Sequence, residues 1–136
     1  ARRALHQFLL VEPNAVDARY QLGVLELRAN APDLAIHEFQ MVLQQDPNHV
    51  MALNGLGLAF ARIGEFAQAS ATLEKAKVLA PDDAGTHTNL GVLAAYQESW
   101  ETAREAWERA LDLDPQFGPA ARNLQALNVP TTSIAP

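Results

Sequence analysis

The chain has 136 residues, 49% of them hydrophobic, a length that suits one compact domain or one short repeat array. Sixteen acidic residues outnumber ten basic ones, and the net charge of −6 argues against nucleic acid or an anionic membrane surface as a partner, because both attract clustered Lys and Arg. The lack of cysteine excludes disulfides, thiolate metal sites and cysteine nucleophiles.

Residues of similar type recur every 34 positions along the chain. Five registers agree on this period, which is typical of a repeat protein. The registers are Pro13, Pro47, Pro81 and Pro115; Ala1, Ala35, Ala69 and Ala103; Leu22, Leu56, Leu90 and Leu124; Gly23, Gly57 and Gly91; and Leu5, Phe39, Leu73 and Trp107.

Each 34-residue unit contains two stretches whose apolar residues have helical spacing. In the second whole unit, Leu53, Leu56 and Phe60 lie at i, i+3 and i+7, and Phe66 starts a similar series. We therefore predict an all-α protein without strands, in which every whole unit has a first and a second helix. The predicted helices cover residues 1–11, 16–29, 33–45, 50–63, 67–79, 84–97, 101–113 and 118–127.

The residues after the repeated prolines predict where the helices begin. Asn14, Asn48 and Asp82 each follow such a proline, and their short polar side chains can accept hydrogen bonds from the free N–H groups of a first turn. We expect these three residues to cap the first helices. Gly64 falls in the turn between two helices, where a positive φ is often required.

The glycine-rich stretch around Gly57 does not predict a dinucleotide site. The motif Gly-x-Gly-x-x-Gly needs a third glycine after a strand, yet Phe60 occupies that place and no strand-like run precedes it. Glycine inside a helix costs roughly 0.5 to 1 kcal/mol relative to alanine, so its recurrence needs a reason. We expect close helix approach, with Gly23, Gly57 and Gly91 facing the small residues Ala35, Ala69 and Ala103.

The units resemble the tetratricopeptide repeat, whose pattern combines Leu-Gly, an aromatic residue, Ala-x3-Phe and Pro. The resemblance covers residues 1 to about 128. Arg19, Leu53 and His87 replace a leading aromatic residue, and Glu26 and Ala94 replace a later one. The matching residues are Leu22, Gly23, Ala35, Phe39 and Pro47; Leu56, Gly57, Phe60, Ala69, Leu73 and Pro81; and Leu90, Gly91, Ala103, Trp107 and Pro115.

The resemblance implies a right-handed α-solenoid of antiparallel helix pairs. The array would span residues 1–128, with a half repeat at 1–15, whole repeats at 16–49, 50–83 and 84–117, and a C-terminal capping helix at 118–128. Residues 129–136 contain two prolines and Thr-Thr-Ser, a composition that predicts a flexible tail.

In this family the first helices line a concave groove that holds extended peptides or partner helices. Arg28 and Arg62, one period apart, could pair with ligand carboxylates there or simply lie along the helix surface. We predict that the groove is lined by Tyr20, Gln21, Val24, Leu27, Arg28, Asn54, Leu58, Arg62, Thr88, Asn89, Val92, Tyr96, Arg122 and Asn123.

The groove does not resemble that of the chaperone adaptors, which clamp a C-terminal carboxylate with Lys, Asn and Arg. Only one Asn matches that set in the better of two alignments. A partial ladder of Gln21, Asn89 and Asn123, interrupted by Gly55, instead favours contacts to the backbone of an extended segment.

No residue pattern supports catalysis, a cofactor or a metal. The four histidines have no i, i+4 spacing, and no serine lies in a G-x-S-x-G turn. The acidic run on the seventh helix is interleaved by Arg104 and Arg109, which predicts i, i+4 pairs with Glu108 and Glu105 on a solvated face. Trp100 and Trp107 are expected to be packing residues.

These patterns predict a protein-binding module and no enzyme. The alternative is a structural scaffold whose ends mediate stacking or oligomerisation. No stretch approaches the ~18 to 20 apolar residues of a membrane span, so we expect no membrane insertion and a soluble protein, with the cytoplasm and the periplasm both open. The half repeat lacks its own first helix, which predicts weak self-association through an N-terminal edge formed by Leu5, Phe8, Leu9 and Leu10.

Overall fold

A computed structural model describes residues 1–128, and within them the chain forms eight α-helices and no strand. All eight predicted helices are confirmed, and their ends lie within one residue of the prediction. The predicted tail at residues 129–136 lies outside the described residues. The helices are α1 (Arg2–Val11), α2 (Val16–Arg28), α3 (Pro32–Gln45), α4 (Val50–Arg62), α5 (Phe66–Leu79), α6 (Ala84–Tyr96), α7 (Trp100–Leu113) and α8 (Gly118–Leu127).

The helices pack as an α-solenoid in which each contacts its neighbours in sequence. The pairs α2 with α3, α4 with α5 and α6 with α7 form the whole units, and α1 and α8 pack on the two ends through α2 and α7. The first helices also meet one another, since α4 contacts both α2 and α6. This arrangement confirms the all-α solenoid fold and puts α2, α4 and α6 along one face.

The repeated registers form the core. Ala35, Ala69 and Ala103 are fully buried, and the large side chains four residues later, Phe39, Leu73 and Trp107, are at most 5% exposed. Two positions spaced by four lie on one face of a helix, so each second helix buries the same small and large pair. The 34-residue period therefore repeats a packing unit as well as a sequence.

The repeated glycines make room for the large core side chain and not for the small one, which corrects the predicted alanine contact. A Cβ on Gly23 would lie 2.7 Å from the Phe39 ring, and one on Gly57 would lie 2.5 Å from Cγ of Leu73. In the third unit the indole of Trp107 takes this place against Gly91. Burial of the large side chain explains why helix-interior glycine is tolerated at these positions.

The predicted helix caps are wrong by one residue. The N-caps are Ala15, His49, Asp83 and Phe117, because the proline and the residue after it occupy a β-turn that the following N–H closes, as in His49 N to Asp46 O at 3.2 Å. The side chains of His49 and Asp83 accept from the N–H groups of Ala52 and Thr86. Asn14, Asn48 and Asp82 lie in the turns instead.

The turn inside each whole unit has a residue with positive φ at the same register. Gly64 has φ of +82°, as predicted, while Asn30 and Glu98 have φ of 58° and 59°. A residue with a Cβ is disfavoured in this region, and Glu is less suited to it than Asn or Gly. The geometry belongs to the repeat, and Glu98 adopts it despite its side chain.

Candidate functional site

The predicted groove residues lie on the first helices, and most of their side chains reach the surface at least in part. Because α2, α4 and α6 lie side by side, their outward faces form one continuous surface. The half-buried members are Tyr20, Val24, Asn54, Leu58, Asn89, Val92 and Asn123. The exposed members are Gln21, Arg28, Arg62, Tyr96 and Arg122.

Two predicted groove residues are buried, which corrects the prediction for them. Leu27 is 9% exposed and belongs to the hydrophobic core. Thr88 is 4% exposed, and its hydroxyl donates to the carbonyl oxygen of Ala84 at 2.8 Å. The Thr88 carbonyl in turn accepts from Nε1 of Trp107 at 3.1 Å. Both residues therefore stabilise the helix pairs and present no side chain to a ligand.

Asn54 ties α4 to the start of α6. Its Nδ2 donates to Oγ1 of Thr86 at 2.9 Å and to Oδ2 of Asp83 at 3.2 Å. Asp83 also accepts from the N–H and hydroxyl groups of Thr86. The Oδ1 of Asn54 is buried and has no partner within residues 1–128. Much of this amide is thus committed to contacts between units.

In the unit before, the same register contacts the start of the next first helix by ring packing. Tyr20 lies one period before Asn54, and its ring packs against His49 with centroids 5.4 Å apart. His49 is the N-cap of α4, as Asp83 is the N-cap of α6. Burial raises the pKa of the Tyr20 hydroxyl, and the positive charge of Arg28 opposes part of that shift. This register therefore joins α2 to α4 and α4 to α6, while Thr88, its member in the third unit, bonds within α6.

The ladder of polar side chains is partly occupied within the chain. Nδ2 of Asn89 approaches the backbone oxygen of Asn54 at 3.4 Å, a long hydrogen bond. Gln21 is exposed and Asn123 is half-buried. The ladder is interrupted at Gly55 because the Phe39 ring lies where a Cβ would be. The sequence showed the interruption but not its cause.

Arg62 connects two first helices through its guanidinium. One nitrogen donates to the backbone oxygen of Leu27 at 2.9 Å, a carbonyl at the end of α2 that also accepts from the N–H of Asn30 at 3.0 Å. The residue as a whole remains exposed. Arg28 occupies the same register one unit earlier and is also exposed. Tyr96, which has this register in the third unit, is 48% exposed.

An apolar cleft of about 330 Å³ opens where α6, α7 and α8 meet. The buried Trp107 ring forms part of its wall, as expected of a packing residue, but Trp100 is 51% exposed and corrects the expectation that both tryptophans are packed. Sequence reasoning did not find this cleft. The one sequence feature that could have indicated it is the replacement of arginine, present at Arg28 and Arg62, by Tyr96 at the same register. The cleft is lined by Val92, Ala95, Tyr96, Trp100, Trp107 and Asn123.

The predicted N-terminal edge is covered in part by the chain itself. Leu9 is 9% exposed and Leu5 is half-buried, because α1 packs on α2. Phe8 and Leu10 are 49% and 84% exposed. Arg2 adds to the contact between α1 and α2 with a 2.9 Å ion pair to the buried carboxylate of Glu26. The exposed edge is thus smaller than predicted.

The acidic face of α7 is exposed, but the predicted ion pairs do not form. Arg104 donates to Oδ1 of Asn128 at 2.9 Å, and no ion pair joins it to Glu108, or Arg109 to Glu105, within the part of the chain that the structure describes. The hydrogen bond from Arg104 to Asn128 at the end of α8 replaces the i, i+4 ion pair with Glu108, which would be worth only ~0.5 kcal/mol.

No helix among the described residues has the length and apolar character needed to cross a membrane.

Comparisons with known proteins agree with this architecture. Family models described as tetratricopeptide repeat match residues 1–49 and 32–84, and residues 84–117. Superkiller protein 3 of Schizosaccharomyces pombe is 44% identical over 62 residues, which is 46% of this chain and only 4% of that protein.

Two solved structures show the same fold over most of the chain. MamA 41-end from Desulfovibrio magneticus RS-1 is 30% identical, with a TM-score of 0.73 over 94% of this chain and 72% of that one. YrrB is 26% identical, with a TM-score of 0.70 over 81% of this chain and 57% of that one. Since the family models cover more than half of the residues and the helix pairs repeat with the family's period, the chain belongs to the tetratricopeptide repeat family.

Proposed function

We infer that this repeat array, a protein-interaction module, holds an extended peptide segment along the face formed by α2, α4 and α6. The observation that carries this inference is a strip of half-buried apolar side chains, Val24, Leu58 and Val92, one on each first helix and one period apart. Half-buried apolar residues in a row leave surface that a ligand can cover.

Polar groups beside the strip suit a peptide backbone. Gln21, Asn89 and Asn123 share one register next to it, and their amides can both donate to and accept from a main chain. The similar protein YrrB is described as having an unusual peptide-binding site, which supports peptide binding as the function of such an array. Gln21 and Asn123 are the main candidates for these contacts, since the amide nitrogen of Asn54 makes two hydrogen bonds within the chain and that of Asn89 makes a long one of 3.4 Å.

The test starts with a peptide selected from a random linear display library on the immobilised protein. Leu58→Lys and Val92→Lys, each placing a charge in the strip, should weaken that peptide at least about tenfold, since the loss of one central apolar contact is worth about 1 to 2 kcal/mol. Val78→Lys is the matched control, because Val78 is 79% exposed on α5. Equal weakening by the control variant would reject the groove.

The second candidate function is a scaffold that self-associates through the N-terminal edge. It is favoured by Phe8, Leu10 and Val11, which leave apolar surface exposed on α1. Light scattering over a range of concentrations should show a mass that rises for the wild type and stays monomeric for Leu10→Glu. Val78→Glu again provides the control. A monomer at every concentration would remove this candidate.

A further inference from the structure

Charge is distributed unevenly between the first and second helices. α4, α6 and α8 contain no carboxylate, and α2 contains only Asp17 and Glu26. Glu26 is 2% exposed and bound by Arg2, so it contributes little negative charge to the surface. By contrast, α7 alone carries four carboxylates, Glu101, Glu105, Glu108 and Asp112. Asp17 at the start of α2 is exposed, and Asp83, the N-cap of α6, accepts hydrogen bonds from Asn54 and Thr86. Apart from these two and Glu26, a protein of net charge −6 carries its acidic groups outside the first helices.

The first helices carry four arginines, of which Arg19 on α2 is already paired with Glu38 at 2.7 Å. Arg28 ends α2 and Arg62 ends α4, while Arg122 lies in α8, where a nitrogen of its guanidinium would be 2.9 Å from a Cβ on Gly118. All three are exposed. A cation in the last turn of a helix interacts favourably with the helix dipole, which is enough to explain the positions of Arg28 and Arg62. It does not explain Arg122, which lies near the start of α8. The dipole also does not account for the missing carboxylates.

The cleft of about 330 Å³ beside these arginines is largely apolar. Tyr96 and Trp100 present half-exposed rings, and Trp107 and Val92 form the apolar wall. Asn123 adds an amide at the α8 side. Concave apolar sites with a few polar groups are preferred anchor points for ligands, because they desolvate a bulky side chain and still fix its orientation. Tyr96 replaces arginine at this register, so the cleft lies at the end of a series of two arginines.

We propose that the segment held by this protein is acidic and carries one bulky apolar side chain, such as Leu or Phe, that enters the cleft formed by Tyr96, Trp100 and Trp107. The proposal rests on the groove function above and adds the chemistry of the partner. Carboxylates of the segment face Arg28, Arg62 and Arg122, which speeds association and sets the direction of the chain. The apolar residue supplies most of the affinity.

The display selection described above tests this directly. Selected peptides should be enriched in Asp and Glu and share one bulky apolar position. Binding of the selected peptide should weaken as salt is added, since exposed charge pairs are screened. If the peptides bind the strip but are neutral or basic, the partner chemistry proposed here is wrong while the groove function stands. If the library yields no peptide, both proposals fail.

Variants locate the two parts of the site. Arg28→Glu and Arg122→Glu should each weaken the selected peptide about tenfold and flatten its salt dependence, whereas Arg109→Glu on the exposed face of α7 should change binding less than about twofold. Trp100→Ala should lose about tenfold, against little change for Val78→Ala. Trp100 and Val78 are both exposed, so neither change should disturb folding, and melting curves check this.

Tryptophan fluorescence gives a readout inside the cleft. A peptide without tryptophan should shift the emission to shorter wavelength in the wild type, because Trp100 leaves water, and should do so much less in Trp100→Ala, where the buried Trp107 remains. An unchanged emission at saturating peptide would overturn the assignment of the cleft.

Discussion

The second and third whole units share one backbone pattern and yet leave different surfaces. In the second unit Phe66 packs against the core, and Arg62 bonds to the end of α2. In the third unit the equivalent Trp100 is half-exposed, and Tyr96 lines an open cleft. A repeat thus specifies where a side chain stands, while the neighbour it meets decides whether that side chain is buried.

Substitution of the repeated glycine should show the largest difference between the units. Gly91→Ala places a methyl group against the Trp107 indole, which is rigid and hydrogen-bonded to Thr88, and should lower the free energy of unfolding by about 2 to 3 kcal/mol. Gly57→Ala meets the smaller Leu73 and should cost about 1 to 2 kcal/mol. Urea denaturation measures both.

Gly118→Ala is the control for the glycine series. It meets only the flexible guanidinium of Arg122 and should be nearly neutral. Equal stability of all three variants would contradict the role of glycine in making room for the large side chain.

Truncation of Phe66 and Trp100 tests whether the ring at this register is part of the core in the second unit and outside it in the third. Phe66→Ala removes a half-buried ring from the core and should cost about 2 kcal/mol. Trp100→Ala removes a ring that is 51% exposed and should cost less than about 1 kcal/mol. Thermal unfolding followed by circular dichroism provides the measurement. A larger loss for Trp100→Ala would mean that the cleft is a packed element.

The cap of α6 separates the predicted from the observed helix start. Asp83→Ala removes an acceptor of Thr86 and Asn54 and should cost about 1 to 2 kcal/mol. Asp82→Ala, one residue earlier in the turn, should stay within about 0.5 kcal/mol of the wild type. A larger loss of stability for Asp82→Ala than for Asp83→Ala in urea denaturation would show that Asp82, the cap predicted from the sequence, begins the helix.

The turns of the two units offer a smaller, stabilising change. Glu98→Gly relieves a positive φ of 59° and should raise the free energy of unfolding by about 0.5 to 1 kcal/mol. Gly64→Ala, at the same register with φ of +82°, should lower it by a similar amount. Opposite signs in chemical denaturation would confirm that the turn, and not the local sequence, sets the geometry.

The first unit extends the comparison to pH, with the smallest expected effect. Burial raises the pKa of the Tyr20 hydroxyl in the folded state above its ordinary value of 10.0. The neutral hydroxyl therefore contributes stability that is fully present below that ordinary value and is lost as the pH rises through the higher folded pKa. Thermal stability should therefore fall more steeply above pH ~10 in the wild type than in Tyr20→Phe. Parallel curves for the two proteins would show that Tyr20 is not the group responsible.

The sequence alone determined the period, the eight helices and the identity of the core. The burial of Ala35, Phe39 and their equivalents 34 residues on could be predicted, because helical spacing is a local property of the sequence and the same spacing recurs in every unit. The face that carries the candidate groove followed from the same registers and the resemblance to the family.

Contacts between helices decided what the sequence could not. Asn54 and Thr88 were expected to line the groove. Instead, Asn54 bonds to the N-cap of α6, and Thr88 is buried and bonds to the backbone of its own helix. Leu9 was expected to be uncovered, but α2 covers it. The cleft at Trp100 likewise depends on how α6, α7 and α8 approach one another. Periodicity fixes the direction of a side chain around its own helix, whereas burial depends on the distance and shape of a neighbouring helix, which only the tertiary structure supplies.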